Sequence, residues 1–217
     1  MPLSKTRLLL LGFFVTTLAI GLGTLLWLNF APKRVAGWNQ LPGQQPLEGL
    51  NRHNVVPDFT LTERSGKPIA LANLQGKVWI ADFIYTTCTD TCPLQSAEMA
   101  KLQSELADVT NLRLVSFSVD PTKDTPAVLQ AYAARFKADA ERWLFLTGDK
   151  EQISNLVQGG FRLSAAPLKQ DGTDTVILHS PRFVLVDSTA TIRGYYDSRE
   201  PDALLRLKQD LRALVKE

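Results

Sequence analysis

Cysteine is nearly absent from this chain: among 217 residues there are only Cys88 and Cys92, four positions apart, and histidine occurs just twice. Cysteine is therefore not used as general structural filler. Acidic residues are missing from the first 34 positions, where Lys5, Arg7, Lys33 and Arg34 account for the net charge of +2; the remainder carries 20 basic and 22 acidic side chains, a balance of −2. A slightly acidic domain without a basic stripe has no electrostatic footprint for a nucleic-acid backbone, which removes nucleic acid as a partner. No internal repeat and no low-complexity segment occurs. Gly159-Gly160 lacks the spacing of a phosphate-binding loop and reads as a turn.

The longest apolar run, Leu8 to Leu28, is interrupted only by Gly and three Thr residues. At helical rise it is long enough to cross a hydrocarbon layer of roughly 30 Å. A cleaved signal peptide would have an apolar region of about 7 to 15 residues and a small-residue cleavage site, neither of which is clear here. The expectation is an uncleaved anchor over residues 1–30 and a Pro-, Gly-, Gln- and Asn-rich linker over 31–55. One folded domain over 56–217 follows, large enough to bury a real core. Basic residues flank the span on both sides, so the positive-inside bias is weak, yet a large domain after a single span argues for an N-terminus inside and a domain outside. The absence of an Arg- and Ser-rich amphipathic leader favours a bacterial inner membrane with the domain in the periplasm; the alternative is a mitochondrial inner membrane facing the intermembrane space.

Within the domain, strands alternate with helices. Asp58 to Thr62 and Ile69 to Leu71 form a hairpin across Ser65-Gly66-Lys67-Pro68, and Lys77 to Tyr85 reads as a buried strand. Cys92-Pro93 opens an amphipathic helix with apolar Leu94, Ala97, Leu102 and Leu106 and polar Gln95, Glu98, Lys101 and Glu105, Pro93 suiting the first turn. Leu112 to Val119 is the next strand. Asp124-Thr125-Pro126 caps a helix to about Ala138, Trp143 to Leu146 is a strand, and Asp149 to Gln158 a helix. Phe183 to Val186 and Thr191 to Tyr196 make a closing hairpin before a last helix, Pro201 to Val215. The economical fold is α/β, with parallel βαβ units, hairpin edges and helices on both faces.

Cys88 and Cys92 sit between a buried strand and a helix start, where open α/β sheets place their ligand sites. Free N–H groups at a helix start favour thiolate over thiol. Redox dithiols of the thioredoxin kind have two residues between the cysteines; here there are three, a spacing that can point both sulfurs to one side. Two thiolates and an imidazole make a soft, low-coordinate site suited to copper, above all Cu(I), while structural zinc prefers four closed ligands. His179, directly before Ser180-Pro181 and a strand, is the candidate imidazole, since His53 falls in the linker. Met99 reads as core packing rather than a thioether ligand, and Asp124 as a helix cap. Asp120, at a strand end flanking the site, either tunes the metal or meets a partner, or is simply a turn residue before Pro121. Asp90 is either a support around the metal or a solvated loop carboxylate.

These residues resemble the Sco (SenC) family of copper-binding assembly factors for cytochrome c oxidase. The resemblance runs from about Val56 to the C-terminus and includes the anchor. It is carried by Cys-x-x-x-Cys-Pro at Cys88 to Pro93 with Asp90 between the cysteines, by Ser118-Val119-Asp120-Pro121 with Asp124-Thr125-Pro126, and by His179-Ser180 before an apolar strand. It implies a thioredoxin-like mixed sheet flanked by helices, with copper, as Cu(I) or Cu(II), held by Cys88, Cys92 and His179. It implies delivery to the binuclear copper centre of an oxidase subunit. Thr89 departs from the proline common after the first cysteine, and Pro181 falls where thioredoxin-like folds often have a cis-proline. A second reading is a thiol-disulfide reductase that keeps the oxidase subunit's cysteines reduced, with Cys88 and Cys92 as a redox pair served by an exported thioredoxin-like reductant. A peroxidase reading from Thr89-x-x-Cys92 lacks the expected proline, its place being taken by Tyr85.

Overall fold

The computed structural model describes residues 17, 21–22, 49–163, 166–170, 173–177 and 180–216, with strands 166–170 and 173–177 described by their backbone. The chain divides into two units, Met1–Gln44 and Gln45–Glu217. Of the first, only Thr17, Gly21 and Leu22 are described, and they are helical. The expected anchor thus lies almost wholly outside the described residues, among which no helix is long and apolar enough to cross a membrane.

The second unit is built on a seven-stranded sheet. The strands of the domain are β1 Thr60–Glu63, β2 Pro68–Ala70, β3 Val78–Ile84, β4 Leu112–Ser118, β5 Trp143–Thr147, β6 Ala166–Gln170, β7 Thr173–Ile177, β8 Arg182–Val186 and β9 Ile192–Asp197. The helices are α1 Thr91–Glu105, α2 Pro126–Arg135, α3 Lys150–Asn155 and α4 Pro201–Leu214. Strand order is β2-β1-β5-β4-β3-β8-β9, with β6 and β7 forming a separate two-stranded sheet. β3, β4 and β5 are parallel neighbours, whereas the β1–β2 and β8–β9 hairpins add antiparallel edges. That is the expected arrangement, and the sequence shows why: every residue of β3 is buried, as a central strand covered on both faces requires.

Two cores lie on opposite faces of the sheet. Ile80, Ile84, Leu114, Trp143 and Phe145 meet α1, α2 and α4 on one side. Trp79, Phe83, Val115 and Phe117 pack against Phe59, Ile153, Leu156 and Phe161 on the other. Alternation along β3 places Asp82 between Ile80 and Ile84, on the first face.

Three local expectations are corrected and one element is added. The inward stripe of α1 is rotated: Leu94 is 64% exposed, while Cys92, Gln95, Ser96, Met99 and Leu102 are buried. Cys92 sets this register, since residues three, four and seven positions further on share its face. Gln95 and Ser96 tolerate burial because Gln95 donates to the Ser180 and Arg182 carbonyls and Ser96 bonds the Tyr132 hydroxyl. Gly159-Gly160 belongs to a π-helical segment, Leu156–Gly160, not to a turn; a Cβ at Gly160 would lie 2.7 Å from Pro57. The β6–β7 pair was not foreseen, although Asp171-Gly172 between the two strands is a hairpin signal. Lastly, His53 is no free linker residue. Its N–H donates to the Ile192 carbonyl and its ring meets Tyr195 edge to face at 5.2 Å, so the segment ahead of Val56 is laid along β9.

Candidate metal centre

β3 ends at Ile84, and the chain then runs through Tyr85, Thr86 and Thr87 to Cys88 before α1 begins. Asp90, the residue capping α1, makes no side-chain cap bond. Its role passes to a sulfur: Cys88 Sγ accepts the Cys92 N–H at 3.4 Å, inside the first turn where amides lack intrahelical partners. Both thiols are free, Cys88 8% exposed and Cys92 fully buried.

The two thiols are not equivalent. Burial disfavours the Cys88 thiolate, but hydrogen bonds from the Cys92 and Asp90 backbone, the Cys92 thiol and the Tyr85 phenol outweigh it and hold the Cys88 pKa below the ordinary thiol value. Burial pushes Cys92 upward, and the proximity of Cys88 and of Asp82 adds to the rise. Placement at a helix start therefore favours one thiolate, not two. Asp82, wholly buried beneath the pair on β3, finds no hydrogen-bond partner for either oxygen within bonding distance, and desolvation pushes its pKa up to about 7 despite the nearby Ser116 hydroxyl.

His179 lies outside the described residues. The backbone next to it does not. β8 runs antiparallel to β3 with Ala81 opposite Val184, which brings the start of β8 level with the end of β3, where the cysteine loop departs. Gln95 Nε2, one turn after Cys92, donates to the Ser180 carbonyl at 3.4 Å and to that of Arg182 at 3.2 Å. Ser180 and Arg182, which follow His179 in the sequence, are thereby tied to the helix that carries Cys92. No peptide bond among the described residues is cis, Ser180-Pro181 included.

The remaining candidates separate. Asp90 is exposed. Asp120 follows β4 in a loop whose Val119 N–H bonds the Ile84 carbonyl, and its carboxylate faces Lys123 at 3.8 Å. Met99 is fully buried in the core, as expected. Asp124 is not the cap of α2: Thr125 is, accepting the Val128 N–H. Among the described residues no three His, Cys, Asp or Glu side chains converge closely enough to hold a metal. The donor set itself suits a soft ion: two sulfurs at a helix start, one of them with its pKa held below the ordinary thiol value.

A thioredoxin-like domain with a two-cysteine loop at the start of its first helix defines the class. The SCO1/SenC family model matches residues 48–216, and the chain belongs to that family. The SCO1 protein homolog of Bacillus subtilis (strain 168) is 38% identical over 160 residues, covering 73% of this chain and 80% of that one. A SCO1/SenC family lipoprotein from Bacillus anthracis aligns with a TM-score of 0.67 at 30% identity, over 79% of this chain and 98% of that chain. BsSco, a member of the Sco family of cytochrome c oxidase assembly proteins in which a disulfide switch is identified, aligns at 0.66 and 32% identity over 80% and 97%. Copper-bound ScoI of Bradyrhizobium japonicum aligns at 0.57 and 26% identity, over 72% and 99%.

Proposed function

We propose that this protein is a membrane-anchored copper carrier that takes part in the assembly of cytochrome c oxidase, holding one copper ion through Cys88, Cys92 and His179 and passing it to the copper-bearing oxidase subunit. The observation that carries the reading is the pair of sulfurs on one helix start, Cys88 Sγ 3.4 Å from the Cys92 amide, with the strand that follows His179 tied to the same helix by Gln95. Membership of a family with a copper-bound relative, ScoI, supports it. Copper is the cargo. Cys88 presents the more readily formed thiolate, Cys92 gives up its proton only when a cation replaces it, and His179 adds a neutral nitrogen. The domain stands on the outer side of a bacterial inner membrane, held by the uncleaved helix within residues 1–30 and the linker that runs from there to the segment laid along β9. Asp90 and Asp120, on the loops beside the pair, are the carboxylates around the metal site, and Asp120 is also the one placed to meet the recipient.

The test is metal analysis of the reduced full-length protein in detergent, beside Cys88→Ser, Cys92→Ser and His179→Ala. One copper per chain is expected for the unsubstituted protein, none retained by either cysteine variant, and weakened binding with an altered Cu(II) spectrum for His179→Ala. Unchanged loading of His179→Ala would remove it from the ligand set.

The asymmetry of the two thiols favours a second reading, a dithiol reductase acting on the cysteines of the oxidase subunit. The Cys88 thiolate attacks one sulfur of the substrate disulfide and releases one substrate thiol. Cys92 then displaces the second, leaving a Cys88–Cys92 disulfide that an exported thioredoxin-like protein must reduce. Retained reductase turnover in His179→Ala, alongside weakened copper binding, would separate the two roles.

A further inference from the structure

Asp124 lies in the loop between β4 and α2, and its carboxylate is fully buried. With the capping of α2 left to Thr125, the carboxylate turns back toward the sheet. It accepts the Thr86 hydroxyl on Oδ1, the Thr86 amide on Oδ2 at 3.1 Å and the Ser118 hydroxyl on Oδ2 at 2.7 Å. Thr86 stands two residues before Cys88, and Ser118 is the last residue of β4. A single side chain therefore joins the end of one central strand to the start of the cysteine loop, across 38 positions of sequence.

The surrounding bonds make the two loops one body. Val119 N–H to the Ile84 carbonyl, 2.9 Å, extends the β3–β4 pairing one step past the strand ends, and Asp124 N–H to the Asp120 carbonyl, 2.9 Å, closes the β4–α2 loop on itself. Ser118 Oγ also accepts the Asp120 N–H at 3.2 Å. A buried carboxylate is stabilised where donors replace its lost water, and here all the donors come from the two segments that must be held together. The neighbouring cation, Lys123, reaches Asp120 instead.

We propose that Asp124 is a positioning residue for the cysteine pair: by fixing Thr86 it sets the backbone from which Cys88 Sγ is aimed at the Cys92 amide, so that both sulfurs are preset before a ligand arrives. The proposal rests on the reading of that pair as a copper site, but part of its test does not need copper. An unheld Thr86 leaves the Cys88 loop several conformations, and ordering them on binding weakens affinity.

The comparison uses full-length protein in detergent carrying Asp124→Asn, Thr86→Val or Thr86→Ser, with Thr125→Ala as a control that removes the adjacent cap and touches neither loop bond. Two quantities are read: Cu(I) affinity by competition with a chromogenic chelator, and the rate of Cys88 alkylation by iodoacetamide in the reduced, metal-free protein. Asp124→Asn and Thr86→Val each weaken copper binding about tenfold or more, the scale of losing a support behind a metal ligand, and each changes the alkylation rate several-fold. Thr86→Ser, which keeps the hydroxyl, behaves as the unsubstituted protein, and Thr125→Ala lowers the unfolding temperature while leaving both readings in place. If Asp124→Asn fails to fold, Thr86→Val decides, because it deletes one hydroxyl and keeps the carboxylate. Thr86→Val identical to the unsubstituted protein in both readings overturns the proposal, as does Thr125→Ala moving both as far as Thr86→Val. Absence of copper binding in the unsubstituted protein refutes the copper site instead, and the alkylation rates still decide the role of Asp124.

Discussion

At the scale of single residues, the side chains that decide the behaviour of the site are mostly those placed beneath it. Asp82 is the clearest case. The unfolded chain ionises this carboxyl near 3.8 and the folded one near 7, so ionisation opposes folding. The cost is absent below about pH 4, grows by roughly 1.4 kcal/mol for each pH unit above that, and is complete once the folded group has titrated, near pH 7. Asp82→Asn removes the ionisable group. Its unfolding free energy should therefore gain on that of the unsubstituted protein as pH rises from 4 to 7, and the gap should then level off; parallel curves would contradict the assignment. At the other end of the scale, the Asp187–Arg193 pair, 3.2 Å apart and nearly buried, shows a carboxyl held below its usual range, where the bonds from Thr189, Thr191 and Arg193 outweigh burial. Its contribution is present above pH 3.8 and is lost only as pH falls through the lower folded value.

At the scale of elements, α1 tests how far a hydrophobic pattern can be read. The sequence places Leu94 inside and Gln95 outside, because polarity is the only guide to a helix face when its neighbours are unknown. In the folded protein Gln95 has two carbonyls to serve on the β8 side, and Leu94 faces water. Leu94→Gln should change unfolding free energy by less than about 0.5 kcal/mol, whereas Gln95→Ala should cost about 1–3 kcal/mol by leaving buried carbonyls without donors; urea denaturation distinguishes the two. Elements with strong local signals were legible: the apolar run of β3 on either side of Asp82, the Thr125-Pro126 start of α2, the Ser65-Gly66 turn. What was not legible depends on partners distant in sequence. Asp124 resembles a cap until Thr86 is seen across the sheet, and His53 resembles linker until β9 lies beside it. The cysteine pair was plain from its rarity, but the inequality of its two thiols comes from the burial of Cys92 and the hydrogen bonds to Cys88, which no spacing reveals.

For the whole molecule, the central question is whether one pair of sulfurs can serve both metal and redox chemistry. Cys88 and Cys92 close a very short loop, and a bond between them requires only that their Cβ atoms come within about 4 Å. A disulfide leaves no thiolate for a cation, so copper affinity should collapse on oxidation. The oxidised protein, trapped and verified by thiol counting, should take up no copper until a reductant is added. Equal affinity in both forms would end the idea. In an oxidising compartment this makes a reductant a prerequisite of copper loading.

The cysteines are also members of a core. Cys88 and Cys92 pack with Ile80, Met99, Leu129 and Phe145 in the same apolar body that α1, α2 and α4 close over the sheet. Whatever occupies the sulfurs is therefore felt by the entire fold, and a ligand bound only to the native state raises the unfolding free energy with the logarithm of its concentration over Kd, by about 2.7 kcal/mol at a hundredfold excess. The loaded protein should melt at a higher temperature than the empty one, measurable by scanning calorimetry of the reduced protein with and without copper. An empty chain, opening more often, is the better substrate for proteases. Metal supply would then govern the lifetime of this protein and so its abundance, and a copper-starved cell would clear the molecules left empty.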